Sequence, residues 1–270
     1  SKVLSKKTGY LLPVVSGSGG AGKSAISTTM AYLANDMGVN TLLLDLDLQF
    51  GDIKYLTGIE APITVDAILK SESAWNDVVA TTESPAIISA PLYAEQGDIT
   101  EKQLNDLIDS ATSKFDLVIA NTGAYWTEQH AALLENCYKA MFVVDQRVSS
   151  LRSCKHAIEL CMRCGIASSP FVYLVNRASK DALFSAVDVS CAFSEAPAFE
   201  IQDSGLHVEE FLARGLIRNL IEENSDFVVS CEAALKEIVT LNFSERATKK
   251  DGLITGFSKK LFSGQKRNIA

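Results

Sequence analysis

Runs of consecutive apolar residues alternate with longer stretches whose apolar positions recur every three to four residues. The runs are YLLPVV (10–15), TLLLDL (41–46), AIISA (86–90), FDLVIAN (115–121), AMFVVD (140–145) and FVYLVN (171–176), with PAFEI (197–201) as a weaker seventh. Their hydrophobicity is continuous rather than alternating, which marks strands buried on both faces. Between them the pattern predicts helices over 23–37, 101–113, 128–137, 151–163 and 223–239. Ser149 or Ser150 is placed to cap the fourth of these, and Gly165 to end it. This alternation predicts an α/β fold with a mostly parallel central sheet and helices on both faces. No repeat or low-complexity linker interrupts it, and one body ending near Leu241 is expected.

Between the first strand and the first helix lies GSGGAGKS, residues 17–24, which matches the phosphate-loop pattern GxxxxGK[ST]. Its setting, after a strand and opening a helix, is the one the motif requires. Gly17, Ser18, Gly19, Gly20, Ala21 and Gly22 would turn backbone N–H groups toward phosphates, and the helix start through Ala25 adds partial positive charge. Lys23 would neutralise the β- and γ-phosphates, and the Ser24 hydroxyl would ligate Mg²⁺. The second strand ends in LLLDLDLQFGD. Asp45 and Asp47 are two apart, so on an extended chain both face one side. At the carboxyl end of a parallel strand they point into the usual ligand crevice. One would hold Mg²⁺ through water and the other position an attacking water; two solvated turn carboxylates are the plainer alternative.

Composition narrows the setting. The chain has 270 residues, 47% of them apolar, which suits one globular domain or a domain with a tail. No apolar run approaches the roughly 18 residues of a membrane span. LLPVV is too short for a signal-peptide core, so the cysteines at 137, 154, 161, 164, 191 and 231 are expected as reduced thiols of a cytoplasmic protein. Cys161 and Cys164 form a lone CxxC within a helical stretch and read as packing. His130, His156 and His207 share no metal-ligand spacing and read as structural. The net charge of -8 is unevenly spread. Residues 246–270 hold seven basic residues and one acid, leaving residues 1–245 at -14. An acidic body disfavours DNA as a partner, since phosphate neutralisation needs a basic face.

The loop SGGAGKS, the strand end DLDLQFGD and the later LVNRAS together resemble the ParA/MinD family of deviant Walker ATPases, with similarity in order and spacing over about residues 8–240. Within it, the CpaE/TadZ branch linked to assembly and polar placement of Tad-type pili is the nearest match. The resemblance implies a three-layer P-loop NTPase of the SIMIBI type, ATP and Mg²⁺ as cofactors, and a homodimer in the ATP state. It implies Lys23 and Ser24 as phosphate and metal residues, with Lys23 and Asp47 in catalysis. Asp45 corresponds to the switch-region acid near Mg²⁺, and Asp47 to the residue that orients water. Asn176, with its neighbour Arg177, corresponds to the adenine-binding position, a simple turn Asn being the alternative. That branch usually carries a receiver-like domain ahead of the ATPase, and here the first strand starts near Tyr10.

Two departures bear on turnover. Ser18 stands where the family places a lysine that reaches the partner's phosphates. Asn121 stands where relatives place the Walker B Asp, so the Mg²⁺ side loses a negative charge while keeping a hydrogen-bonding group. A trans cation is worth about 10³–10⁵ in phosphoryl-transfer rate, so nucleotide binding is expected with slow hydrolysis. Arg147 and Arg152 are candidate replacements for the cation.

The basic end has its own pattern. In residues 251–267, Leu253, Ile254, Phe257 and Leu261 fall at helical spacing with Lys259 and Lys260 beside them. That predicts an interfacial amphipathic helix on an anionic membrane, and it is similar to the membrane-targeting helix of the MinD branch. A tail docked on its own domain, or a disordered end, is the alternative. The expected organisation is thus a P-loop ATPase domain (1–245) and a tail (246–270), peripheral on the inner face of the cell membrane. The expected role is positioning or assembly with partners from a pilus or other polar machinery. Division-site placement, flagellar-number control and a pseudo-ATPase scaffold are the alternatives.

Overall fold

The computed structural model describes residues 9–81 and 84–247. The seven expected strands form as β1 (Tyr10–Val15), β2 (Thr41–Leu46), β3 (Ala86–Ile88), β4 (Leu117–Thr122), β5 (Ala140–Asp145), β6 (Phe171–Ala178) and β7 (Ala198–Gln202). They make one sheet in the order β3-β2-β4-β1-β5-β6-β7, with every pairing parallel. β1 therefore sits at the centre, and the loop that follows it opens at the carboxyl edge between β4 and β5. The five expected helices are present as α1 (Lys23–Asp36), α5 (Glu101–Lys114), α6 (Glu128–Asn136), α7 (Val148–Arg163) and α11 (Asp226–Ala247).

Continuous apolar strands supply two cores at once. Along β1, Leu12 and Val14 join the core under α1 and α11, while Leu11 joins the core under α5. Val15, Phe142 and Tyr173 join a third cluster with Cys154 and Cys161 of α7. Burying side chains of this size contributes roughly 1.5–3 kcal/mol each, so the central strands are the most firmly held part of the molecule.

Several boundaries differ from the sequence pattern. Six short helices were not expected: α2 (Ile53–Thr57), α3 (Val65–Lys70), α4 (Ala74–Val79), α8 (Ala186–Ala192), α9 (Leu206–Ala213) and α10 (Ile217–Glu223). Each has eight residues or fewer, too little chain to display a 3.6-residue period. Glu223 belongs to α10, which Asn224 ends with a left-handed φ of 55°, so α11 starts only at Asp226. α7 starts at Val148 with Arg147 at its N-cap, so neither Ser149 nor Ser150 caps it. Instead the Ser150 hydroxyl accepts the Asp145 N–H, closing the turn from β5 into the helix. α11 runs on to Ala247, past Leu241; the amphipathic stretch 251–267 lies outside the described residues. Among the described residues no helix is long and apolar enough to cross a membrane.

Candidate nucleotide site

The loop between β1 and α1 is built for close approach. Gly22 has φ +100°, and a Cβ there would lie 2.1 Å from Asn176 Nδ2. A Cβ at Gly17 would lie 2.3 Å from the Ser153 backbone of α7. No other residue fits either place. Gly22 is also the N-cap of α1 and has no side chain to satisfy the first-turn N–H groups; the first helical bond to reach back is Ile26 N–H to Gly22 C=O. Unpaired donors at a helix start, with no acid in the first turn, attract an anion.

Lys23 is 8% exposed, and its Nζ donates to Ser16 Oγ at 3.0 Å. Burial lowers its pKa, and the charges of Asp47 and Asp52 partly offset this. Ser16 in turn donates to the Ser18 carbonyl at 2.7 Å, and its own carbonyl accepts the Trp126 indole N–H at 2.8 Å. Trp126 stacks on His130, which is buried and held by Gly123 O and Thr127 N–H. Ser16 and Trp126 carry no motif signal, since a serine before the pattern and a tryptophan in a loop have no required spacing. His130 is structural, as expected from the sequence; it caps α6 with Thr127.

The acidic side of the site is formed by strand ends. Asp45 is buried at the end of β2 opposite Asn121 of β4, which donates Nδ2 to its carboxylate at 3.0 Å. The N–H groups of Asp47 and Ile53 also donate to it. Burial nevertheless outweighs these three donors and raises its pKa to about 7. β2 ends at Leu46, so Asp47 leaves the extended geometry that would have aligned it with Asp45. It is half-buried in the following loop, where burial raises its pKa and the Phe50 N–H and the Lys23 charge partly counter this. The two acids therefore occupy different environments, not one face.

Asn121 Oδ1 is buried and has no hydrogen-bond partner among the described residues. An orphaned buried acceptor costs free energy unless something else completes it. It lies beside Asp45, and with the half-buried Ser24 hydroxyl at the start of α1 these side chains offer oxygen donors of the kind Mg²⁺ takes together with waters and phosphates. The residues present thus fit the ion. Among the described residues no three of His, Cys, Asp and Glu gather into a metal-binding group.

Asn176 and Arg177 close the other side. Asn176 is inside β6, not in a turn, and its Nδ2 donates to Ala21 O at 2.8 Å. Arg177 Nη1 donates to Gly20 O at 2.9 Å. Ser18 Oγ lies 3.4 Å from Ser150 Oγ at the start of α7. Of the two candidate replacement cations, Arg147 is committed to Asp145 through paired hydrogen bonds from Nε at 3.0 and 2.9 Å. Arg152 is exposed on α7.

A family model for the CobQ/CobB/MinD/ParA nucleotide-binding domain matches residues 12–186, from the first strand through the loop, both acids and Asn176. The chain belongs to this MinD/ParA family. A septum site-determining MinD protein of Emiliania huxleyi is 24% identical over 172 residues, a match spanning 62% of this chain and 62% of that relative. The MinD of Pyrococcus horikoshii, solved with Mg-ADP, superposes with TM-score 0.72 at 18% identity, covering 86% of this chain and 96% of that one. A ParA family ATPase from Chlorobium tepidum gives TM-score 0.75 at 22% identity, covering 85% and 98%. The fold is that of the MinD/ParA P-loop NTPases.

Proposed function

We propose that this MinD/ParA-family chain is an ATP- and Mg²⁺-binding switch that turns over slowly. The observation that carries the reading is Lys23, a buried ammonium whose side-chain hydrogen bond among the described residues goes to the neutral Ser16 hydroxyl, with Asp47 and Asp52 acting on it only through their charge. A charge held this way is poorly compensated, and an incoming polyphosphate supplies the missing counter-charge. The N–H groups at the start of α1 would bind the phosphates, Ser24 and Asp45 would hold Mg²⁺, and Asn121 Oδ1 would accept from a water on it. Mg²⁺, when bound, supplies charge neutralisation between the phosphates. Asp47 would orient the attacking water from its half-buried loop. The Mg-ADP in the related MinD structure supports the choice of ligand.

Slow hydrolysis follows from Ser18, which brings no charge, and from Arg147, which is spent on Asp145. The same two observations favour the pseudo-ATPase scaffold as second reading. A homodimer across the nucleotide face is supported by exposed apolar residues on the carboxyl-edge loops. Phe50 (79% exposed) follows β2, Tyr93 follows β3, Tyr125 (85%) follows β4 and Leu183 follows β6. The strand end DLDLQFGD supports the CpaE/TadZ branch and with it a role in pilus assembly or polar placement. The basic tail supports peripheral attachment to an anionic membrane. Titration with a fluorescent ATP analogue in Mg²⁺ tests the core of this reading. Saturable binding is expected, weakened at least about tenfold by Lys23→Ala; equal binding by both proteins would reject it.

A further inference from the structure

Arg177 holds a backbone conformation that arginine seldom adopts. Its φ is +54°, and it lies in β6 where the pairing with β7 shifts register between Val175 and Ala178. Such strain persists only where the surroundings over-determine it. Here the surroundings are three oxygens. Arg177 Nη1 donates to Gly20 O at 2.9 Å and lies 4.0 Å from Asp145 Oδ2, while Nη2 lies 3.6 Å from Glu209 Oε1. The preceding residue, Asn176, donates to Ala21 O. Two adjacent residues of one strand thus hold two adjacent carbonyls of the phosphate loop.

The consequence follows from peptide geometry. In a planar trans peptide the C=O and the next N–H point in opposite directions. Drawing the Gly20 carbonyl toward β6 turns the Ala21 N–H the other way, into the concave side of the loop. Asn176 does the same for the Gly22 N–H. Asn176 is buried and fixed by packing, whereas Gly20 is an exposed glycine at φ +72° with no atom within 4 Å of its Cβ position. Its peptide is therefore the one that needs an outside hold. We propose that Arg177 is a latch: a positioning residue that aims the Ala21 N–H at the phosphates, with Asp145 and Glu209 aiming its guanidinium. Arg177 then raises affinity for nucleotide polyphosphate by pre-organising the loop and need not touch the nucleotide.

This inference rests on the nucleotide-binding reading, and the test separates the two. The fluorescent ATP analogue with Mg²⁺ is titrated into the parent, Lys23→Ala, Arg177→Ala and Arg177→Gly, and each Tm is measured without nucleotide. Failure of the parent to bind would sink the nucleotide reading itself. With the parent binding, both Arg177 variants are expected to bind at least about tenfold more weakly, the scale of a lost charged hydrogen bond. Glycine relieves the strained φ, so Arg177→Gly is expected to keep or raise Tm while losing affinity. A merely structural role would not give that split. Arg177→Gly binding within about twofold of the parent would overturn the latch, and so would a loss of affinity accompanied by a fall in Tm.

Discussion

Burial moves Asp45, paired with Asn121, and His130, stacked on Trp126, in opposite directions. Burial raises the Asp45 carboxyl from its ordinary 3.8 to about 7, so the folded protein holds this proton more tightly than the unfolded chain does. Folding stability contributed by Asp45 is present below pH 4 and is lost as pH rises to about 7. Burial lowers His130 from 6.5 to about 4, so the folded protein resists this proton. Its contribution is present above pH 6.5 and is lost as pH falls toward 4. In the parent, free of metal and nucleotide, the two slopes oppose each other between pH 4 and 6.5. Urea unfolding in chelator should therefore show Asp45→Asn gaining stability with rising pH across that window and His130→Gln losing it, each by a few kcal/mol at most. Parallel slopes in the two variants would contradict this assignment. At this scale the sequence singled out Lys23 and Asp45, which the structure buries at the loop and at the end of β2. It was silent on Ser16, whose hydroxyl holds Lys23, because that contact is made by folding seven residues back on themselves.

Among the elements, β1, β2 and β5 match their sequence runs residue for residue, because strands buried on both faces must be apolar throughout. α5 was legible for another reason: Thr100 and Gln103 form a reciprocal capping box ahead of a clear apolar face. The short helices α2, α3 and α4 follow β2 with no such signal. β6 extends two residues beyond its apolar run, and the first of them, Arg177, reaches the phosphate loop together with Asn176. Asn176 donates to the loop backbone from within that strand, and the adenine-binding position stays what the family resemblance implies for it. The tail is an element known from its pattern alone, with seven basic residues and one acid in residues 246–270. Each cation near an anionic leaflet contributes about 1 kcal/mol, so under the proposed membrane attachment a single tail would bind weakly and two tails in a dimer far better. Sedimentation with anionic vesicles in ATP and Mg²⁺ should retain the intact chain and lose a chain ending at residue 245. Equal sedimentation of both would remove the membrane from the account.

Taken whole, the molecule centres its loop in a seven-stranded parallel sheet, and the strand order itself creates the crevice in which ligands of such sheets sit. The fold was legible because every layer agrees: apolar strands, amphipathic helices and a loop that only glycines can thread. What departs from agreement lies at the site. Ser18 removes a cation, Asn121 removes an anion, and Arg147 is turned toward Asp145. Under the proposed function these changes would leave the groups that bind phosphate and remove a cation that speeds its transfer, which is why a slow switch is the central claim. The direct measurement is steady-state phosphate release from saturating ATP and Mg²⁺, in parent and Lys23→Ala, with vesicles present. Turnover on the order of 10⁻³ s⁻¹ or slower is expected, the scale of a P-loop site lacking its finger cation, and Lys23→Ala should abolish it. Sustained release at about 1 s⁻¹ or faster, the scale of a site with that cation in place, would contradict the account.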